Sequence, residues 1–184
     1  MKRYILVEGA SDVSFITHYC KYLGFMPDSS FMIIDMKGKG GLAKNMLSLE
    51  PELKKGDKVA VILDADENVQ QRRKEAKAIL GDEIPLFLMP DDRSAGELET
   101  LLLSTIDEDI ILKCFDEYVA CLEDKGINSS SVDNKAKLYA YTKLRKSVQP
   151  DKSFDTDLWN FEHENFQAIA IFLKNFIYAK SEKY

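Results

Sequence analysis

Two aspartates, Asp64 and Asp66, stand directly after an apolar run at positions 58–63. The nearly unbroken hydrophobicity of that run is typical of a parallel strand that is covered on both faces. Two carboxylates this close repel each other unless a cation or a proton lies between them, and their hard oxygen atoms favour Mg²⁺ or Mn²⁺ over zinc. By itself, an Asp-x-Asp pair is equally typical of a solvated turn, so it becomes informative only together with other acids.

Further acidic residues follow the first apolar run, at positions 3–7. Glu8 ends that run and precedes Gly9, a residue that lets the backbone turn sharply. Asp12 comes about one helical turn later. Ordinary roles stay open for both acids, since Glu8 could simply end a strand and Asp12 could cap a helix, which contributes about 1 kcal/mol.

The elements around these acids alternate between strands and helices. Apolar runs predict four strands, at 3–7, 31–36, 58–63 and 84–89. Helical stretches lie between them, at 11–23, 42–49 and 69–80, the second ending before Pro51. Such alternation implies a mainly parallel sheet flanked by helices, with its ligand crevice at the carboxyl ends of the strands. Glu8 and the Asp64/Asp66 pair fall at such ends.

The rest of the chain predicts only helices, at 97–103, 108–122, 134–146 and 162–177. With 184 residues, the chain has the size of one domain. We therefore expect an α/β core at 1–103 and a helical C-terminal extension at 104–184 that packs on it. An aromatic-rich stripe supports that packing: Trp159, Phe161, Phe166, Ile169, Phe172, Leu173 and Phe176.

Composition and charge limit the classes of protein to consider. The chain is 45% hydrophobic and 30% charged, as soluble globular proteins are. No stretch approaches the roughly 20 apolar residues of a membrane span, so no membrane partner is expected. Three cysteines without a CxxC pair fit a reducing compartment, and we expect a cytoplasmic protein. The net charge of −6 gives no global attraction for nucleic acid.

The acidic segments resemble the motifs of the Toprim (topoisomerase-primase) superfamily. Segment 7–12, Val-Glu-Gly-Ala-Ser-Asp, resembles its first motif, and segment 62–66, Ile-Leu-Asp-Ala-Asp, resembles its Asp-x-Asp motif, in the same order and strand context. The likeness is to small stand-alone Toprim proteins and to the nuclease domain of the overcoming lysogenization defect family, and it covers roughly residues 3–103. It implies a Toprim-type, Rossmann-like fold.

The resemblance also implies a two-metal site. Its ligands would be Glu8, Asp12, Asp64 and Asp66, with help from Asn68. Two Mg²⁺ or Mn²⁺ ions about 4 Å apart can bridge a scissile phosphate, activate water and stabilise the leaving oxygen. The implied activity is hydrolysis of DNA or RNA phosphodiesters without a protein nucleophile, with Glu8, Asp64 and Asp66 as the catalytic acids.

Two later positions complete the implied site. The family's later acidic residue best matches Glu99, with Glu97 as the alternative, although either could be a helix N-terminal acid favoured by the helix dipole. Some relatives also carry a lysine in the following helical region, and Lys137 is the candidate for stabilising phosphate charge. A solvated helix lysine is the other interpretation of Lys137.

Local basic clusters could meet a phosphate backbone despite the acidic total. One surrounds the glycine-rich loop, and the other lies in a later helix: Lys37, Lys39 and Lys44, then Lys135, Lys137, Lys143, Arg145 and Lys146. A solvated helix face would explain the second cluster equally well. The loop at 37–41 lacks the GxxxxGK[ST] order, so no nucleotide site is predicted, although glycines before a helix can cradle an anion.

Two other functions stay open. The chain could be a Toprim-type module that binds metal or nucleic acid without cleaving it, or that regulates through a protein partner or as a homo-oligomer. It could also be a haloacid-dehalogenase-like phosphotransferase with an aspartate nucleophile after a strand. Asn68 breaks the motif of that second class, which also leaves Glu8 unexplained.

Overall fold

A parallel sheet lies at the centre of the fold in this computed structural model, which describes residues 1–26, 31–129, 132–145 and 158–179. Its strands are β1 (Arg3–Val7), β2 (Phe31–Asp35), β3 (Lys58–Asp64) and β4 (Leu86–Met89). The strand order is β2-β1-β3-β4, and every neighbouring pair is parallel. The predicted four-stranded α/β sheet is therefore confirmed.

Helices connect the strands and form the C-terminal part. Between the strands lie α1 (Ala10–Tyr22), α2 (Gly41–Lys54) and α3 (Val69–Leu80). After β4 come α4 (Leu98–Leu103), α5 (Ile110–Asp124), α6 (Asn134–Arg145) and α7 (Gln167–Tyr178), with a 3-10 turn at Glu164–Phe166. Within the described ranges, no helix is long and apolar enough to cross a membrane.

The central strands are buried on both faces. In β1, Ile5 and Val7 belong to a core cluster formed with α1, α4 and α7. Tyr4 and Leu6 point to the other face, into a cluster formed with α2 and α3. Alternate side chains of a strand point to opposite faces, so covering both faces requires a continuous apolar run.

The last helix belongs to the core of the sheet. Ile169, Leu173 and Phe176 of α7 are buried in the same cluster as β1. The Arg3 side chain donates to the carbonyl oxygens of Phe176 at 3.1 Å and Ala179 at 2.5 Å. These contacts join the C-terminal end of the described chain to the first strand.

The predicted end of the second helix is wrong. Helix α2 does not stop before Pro51 but contains it and continues to Lys54. A proline inside a helix removes one backbone hydrogen bond. Leu49 and Leu53, on either side of Pro51, pack against the core cluster on this face of the sheet. Their packing keeps the chain helical through the proline.

Smaller differences concern the ends of later elements. Strand β4 begins at Leu86 rather than at 84. Helix α5 begins at Ile110 rather than at 108, because the Asp109 carboxylate accepts a hydrogen bond from the backbone N–H of Ile111 and caps the helix. Helix α7 begins at Gln167 rather than at 162. The predicted last residue of α6, Lys146, lies outside the described residues.

Candidate active site

An acidic pocket of about 450 Å³ opens at the carboxyl edge of the sheet. Parallel strands end at the same edge, so the loops that follow them meet there. The acids that line this acidic pocket are Glu8, Asp12, Asp35, Asp64, Asp66, Glu97 and Glu99. Its lysines are Lys37, Lys39 and Lys135. The pocket thus collects acids from widely separated parts of the chain.

Glu8 lines this acidic pocket and is almost completely buried. Its Oε1 atom accepts hydrogen bonds from the backbone N–H of Asp64 at 3.2 Å and from Nη2 of Arg72 at 2.5 Å. Arg72 also donates from Nε to the backbone oxygen of Asp64 at 3.2 Å. Its Nε lies 3.8 Å from Oδ2 of Asp66. The Arg72 guanidinium therefore lies between Glu8 and the Asp-x-Asp pair.

Asp64 carries the largest electrostatic perturbation among the acids of this pocket. Burial, together with the charges of Asp12, Glu8 and Glu99, raises its pKa to about 7, and burial is the largest of these causes. The backbone N–H of Leu98, at the start of α4, donates to Oδ1 at 3.1 Å and opposes the shift. Near neutral pH, the Asp64 carboxylate therefore gains much from a nearby positive charge.

Asp12 has two roles in the structure. Its Oδ2 accepts a hydrogen bond from the backbone N–H of Gly9 at 2.9 Å, as part of the N-terminal capping of α1. It also lines the acidic pocket. Burial raises its pKa, and the nearby Glu8 adds to that rise. The two interpretations left open by the sequence are therefore compatible.

Glu97 and Glu99 both line the acidic pocket, in different settings. Glu97 is the N-cap residue of α4, and its Oε2 lies 3.8 Å from Nζ of Lys135. Glu99, in the first turn of α4, has its pKa raised by burial, with further contributions from Glu97 and Asp12. Glu99 is thus the member of the pair that is electrostatically coupled to the central acids.

Asp66 is held by its backbone and by a lysine. Its φ of 55° lies in the left-handed region, and its backbone exchanges two hydrogen bonds with Gly96, at 2.9 and 2.7 Å. Nζ of Lys39, from the glycine-rich loop, donates to Oδ1 of Asp66 at 2.5 Å. The loop is fixed beside the pocket because the Gly38 N–H donates to the carbonyl oxygen of Glu8 at 2.7 Å. Asp66 therefore already has a positive partner.

The structure does not bring Asn68 or Lys137 into the acidic pocket. Asn68 caps α3, its side chain accepting from the backbone N–H of Gln71 at 2.9 Å. Nζ of Lys137 lies 2.6 and 2.7 Å from the two carboxylate oxygens of Asp116, beside a separate cavity along α5. Lys135, two positions earlier, lines the acidic pocket instead. Residues two apart on a helix point about 200° apart, so only one can face it.

Arg72 and Lys135 are the site residues that the sequence did not single out. Arg72 stands one helical turn after the Asn68 cap, which places it above the end of β3. That spacing was visible in the sequence, but it does not separate Arg72 from Arg73. Lys135 belonged to a basic cluster in which the sequence analysis selected Lys137 instead.

The donor atoms of the pocket fit a divalent cation in part. In the described part of the chain, no three His, Cys, Asp or Glu side chains are grouped as they would be around one metal ion. Asp12, Asp64 and Glu99 nevertheless offer hard oxygen atoms, and each has its pKa raised by burial and by neighbouring acids. Glu8 and Asp66 are already paired with Arg72 and Lys39. Asp12, Asp64 and Glu99 form no ion pair among the described residues, and Lys135 is the cation whose charge acts on all three.

Fold and pocket together define an α/β protein with an acid-lined crevice at the carboxyl edge of a parallel sheet. The chain belongs to the family described as "Protein of unknown function (DUF3226)", whose family model matches residues 2–178. That range includes the sheet as well as helix α7. No curated protein matches the chain.

Proposed function

We propose that this protein is a metal-dependent phosphodiester hydrolase of the Toprim type, acting on DNA or RNA. One observation carries the proposal: Glu8, Asp12, Asp64 and Glu99, from three separate segments, line one pocket at the carboxyl edge of the sheet. The raised pKa of Asp64, about 7, supports it, because buried acids that repel one another favour a bound cation. The Toprim-like motifs around Glu8 and Asp64 indicate the class of reaction.

In this proposal, Asp12, Asp64 and Glu99 hold Mg²⁺ or Mn²⁺. The bound cation supplies Lewis acidity and an activated water for phosphodiester hydrolysis. Lys39 and Lys135 line the same pocket and place positive charge where a phosphate would approach. The pKa of Lys135 is raised mainly by Glu99, so this ammonium stays charged at neutral pH.

The number of cations depends on the pairs already formed in the pocket. The two-cation arrangement implied by the Toprim resemblance would require Glu8 to part from Arg72 and Asp66 to part from Lys39. A single cation at Asp12, Asp64 and Glu99 requires neither change. Separating the Glu8–Arg72 pair is costly, because this pair is buried and its separation leaves an uncompensated charge.

A nucleic-acid substrate is compatible with the acidic total charge. A second pocket of about 540 Å³ shares Lys39, Asp66 and Glu97 with the acidic pocket and is also lined by Arg72 and Asn134. The two pockets together offer a path along the carboxyl edge of the sheet, with basic groups beside the acids. We propose that the nucleic-acid backbone lies along this path, with its phosphates near Lys39 and Lys135.

The proposed place of action is the cytoplasm. Cys20, Cys114 and Cys121 are all free thiols, of which the last two are exposed. Free exposed thiols fit a reducing compartment.

A non-catalytic module that binds metal or nucleic acid, or that regulates with a protein partner or a second copy, is the second candidate. The observation that favours it is the Glu8–Arg72 ion pair, in which Arg72 already neutralises one acid of the first motif. This candidate predicts metal binding without turnover. A phosphotransferase would differ from both, because it would form a phosphoaspartate at Asp64.

The test is a nuclease assay with the full chain, Mn²⁺ and a set of single- and double-stranded DNA and RNA substrates. We expect cleavage that EDTA stops and that Asp64→Asn lowers at least about a hundredfold. Asp116→Asn is the matched control, because Asp116 is an exposed acid on α5 outside the acidic pocket. Mn²⁺ binding without cleavage of any substrate would overturn the hydrolase in favour of the binding module, and a trapped phosphoaspartate would favour the phosphotransferase.

A further inference from the structure

We propose that helices α5 and α6 form the contact surface of a two-fold dimer, in which α5 of each copy packs against α6 of the other. The occupant of this surface is therefore a second copy of the chain. Its central residues are Ile110, Glu117, Lys143 and Leu144, and all four lie outside the acidic pocket. The inference therefore does not depend on the proposed function.

Helix α5 is largely apolar, yet the rest of the chain does not bury it. None of its residues is buried, and Ile110 and Tyr118 are 67% and 56% exposed. The cavity along this helix, the α5 groove, has a volume of about 880 Å³, and its apolar lining includes Ile106, Leu112 and Ala120. An exposed apolar helix face beside a groove is typical of a surface that binds another molecule.

Helix α6 adds a second exposed apolar side chain at the same end of the α5 groove. Lys137 lines the groove, and Leu144, seven residues later, points to the same side of α6. The ion pair between Arg145 and Asp109 places the end of α6 beside the start of α5. Leu144 is 71% exposed. Ile110 and Leu144 therefore lie at one end of the helix pair, as its apolar centre.

The two helices carry opposite charges. Helix α5 contains four acids and one lysine, whereas α6 contains four basic residues and no acid. Lys137 and Arg145 of α6 are already paired with acids of the same copy. Among the described residues, Glu117 in the α5 groove and Lys143 on α6 form no ion pair. Their opposite charges are therefore available to a partner.

This charge distribution favours a second copy as the partner. Every contact occurs twice around a two-fold axis, so α5 against α6 of the other copy gives two contacts between opposite charges. Contact between α5 and α5 would instead set acid against acid. The Tyr139 and Lys143 side of α6 then meets the α5 groove of the other copy, with Lys143 next to Glu117. Cys114 and Cys121 do not line the groove and stay accessible.

The experiment is sedimentation velocity of the full chain between about 2 and about 200 µM, where we expect a monomer–dimer equilibrium. Glu117→Lys and Lys143→Glu each place like charges in both contacts, so each should raise the Kd of the dimer at least about tenfold. Lys44→Glu is the matched control, because Lys44 is an exposed residue of α2 outside this surface. It should keep the Kd of the unmodified protein.

An equimolar mixture of the two charge variants tests the crossed arrangement. In a dimer of Glu117→Lys with Lys143→Glu, one contact joins the two changed residues and the other joins the two original ones. Both contacts again hold opposite charges. The mixture should therefore form dimers with a Kd within about threefold of the unmodified protein, although neither variant does so alone.

A charge-neutral variant tests the apolar centre. Ile110→Ser should raise the Kd of the dimer at least about tenfold, whereas Ile171→Ser, at an exposed position of α7, should leave it unchanged. All the substituted side chains are exposed, so each variant should fold, which circular dichroism checks.

Four outcomes would overturn the inference. A monomer at every concentration would do so and would leave the α5 groove to a basic segment of another protein. A dimer that Lys143→Glu does not weaken would show that α6 is not in the contact, and a mixture that stays monomeric would show that Glu117 and Lys143 do not meet. An unchanged Kd in Ile110→Ser would place the contact elsewhere on the protein.

Discussion

Oε1 of Glu8 accepts a hydrogen bond from the backbone N–H of Asp64 at 3.2 Å, which ties the chain after β1 to the end of β3. The bond holds a carboxylate from the first motif against the backbone of the second, although 55 residues separate the two in sequence. As a result, the charge of Glu8 contributes to the raised pKa of Asp64.

The stability of the metal-free protein should depend on pH through Asp64. Its pKa is raised from 3.8 to about 7 in the folded protein, so folding favours the protonated form. The contribution of protonated Asp64 to the free energy of unfolding is fully present below about pH 4. It is lost as the pH rises through about 7, and its size has an upper bound on the order of 4 kcal/mol. Asp64→Asn should remove this loss.

Urea denaturation between pH 4 and pH 8 measures the effect, in the presence of EDTA. The control is Asp116→Asn, which changes an exposed carboxylate on α5 and should keep the pH dependence of the unmodified protein. An unchanged pH dependence in Asp64→Asn would show that Asp64 does not titrate near neutral pH.

Gly41 should not tolerate a side chain. A Cβ at this position would lie 1.9 Å from the backbone oxygen of Met36, so Gly41→Ala must displace the loop that carries Lys39. We expect a loss of about 2 kcal/mol or more in the free energy of unfolding, measured by urea denaturation. Gly40→Ala has open space around its Cβ and an ordinary φ of −74°, and should change stability by less than about 0.5 kcal/mol. Equal losses in the two variants would contradict the close contact.

Lys135, and not Lys137, should matter for cleavage if the protein is a hydrolase. Lys135 lines the acidic pocket, whereas Lys137 pairs with Asp116. Lys135→Ala should lower kcat/KM by about tenfold, which corresponds to about 1.4 kcal/mol of lost transition-state stabilisation. Lys137→Ala should keep the kcat/KM of the unmodified protein. The measurement is kcat/KM for cleavage of one oligonucleotide in Mn²⁺. A larger loss in Lys137→Ala than in Lys135→Ala would show that Lys137 acts in the site.

The C-terminal helix should be essential for the stability of the sheet. Phe166 is 1% exposed, and its ring contacts Phe15 and Tyr19 of α1. Phe166→Ala should lower the free energy of unfolding by about 3–5 kcal/mol in one cooperative transition. Ile171→Ala, at a 58% exposed position of α7, is the control and should cost less than about 0.5 kcal/mol. Two separate transitions would instead make the C-terminal part an independent unit.

The three cysteines should react in two classes. Cys114 and Cys121 are exposed on α5, whereas Cys20 is buried, and burial raises the pKa of its thiol to about 12. At pH 8, native protein should therefore react with about two equivalents of a disulfide reagent per chain, and denatured protein with about three. Cys114→Ser should reduce the native number by one, while three fast equivalents in the native protein would mean that Cys20 is accessible.

Several features could be predicted from the sequence because they follow from local pattern. The strand predicted at 58–63 is apolar at every position from Val59 to Leu63, which indicates a strand covered on both faces, and these five residues of β3 are buried. Glu8, Asp64 and Asp66 follow such runs, and parallel strands end at one edge, so their meeting in one pocket was predictable. Helix-breaking rules failed at Pro51, because the packing of neighbouring leucines outweighs one lost hydrogen bond.

The sequence by itself determined the α/β class, the strand ends and the acids that stand there, since each depends on neighbours a few residues away. Only the tertiary structure decided which basic groups meet those acids. Arg72 and Arg73 are adjacent, and Lys135 and Lys137 lie two apart. Of the first pair, Arg72 contacts Glu8 and Arg73 contacts Asp92; of the second, Lys135 lines the acidic pocket and Lys137 lies beside α5. The orientation of α3 and α6 relative to the sheet determines which basic residue faces the acids. That orientation depends on packing contacts with residues distant in sequence, which no local pattern encodes.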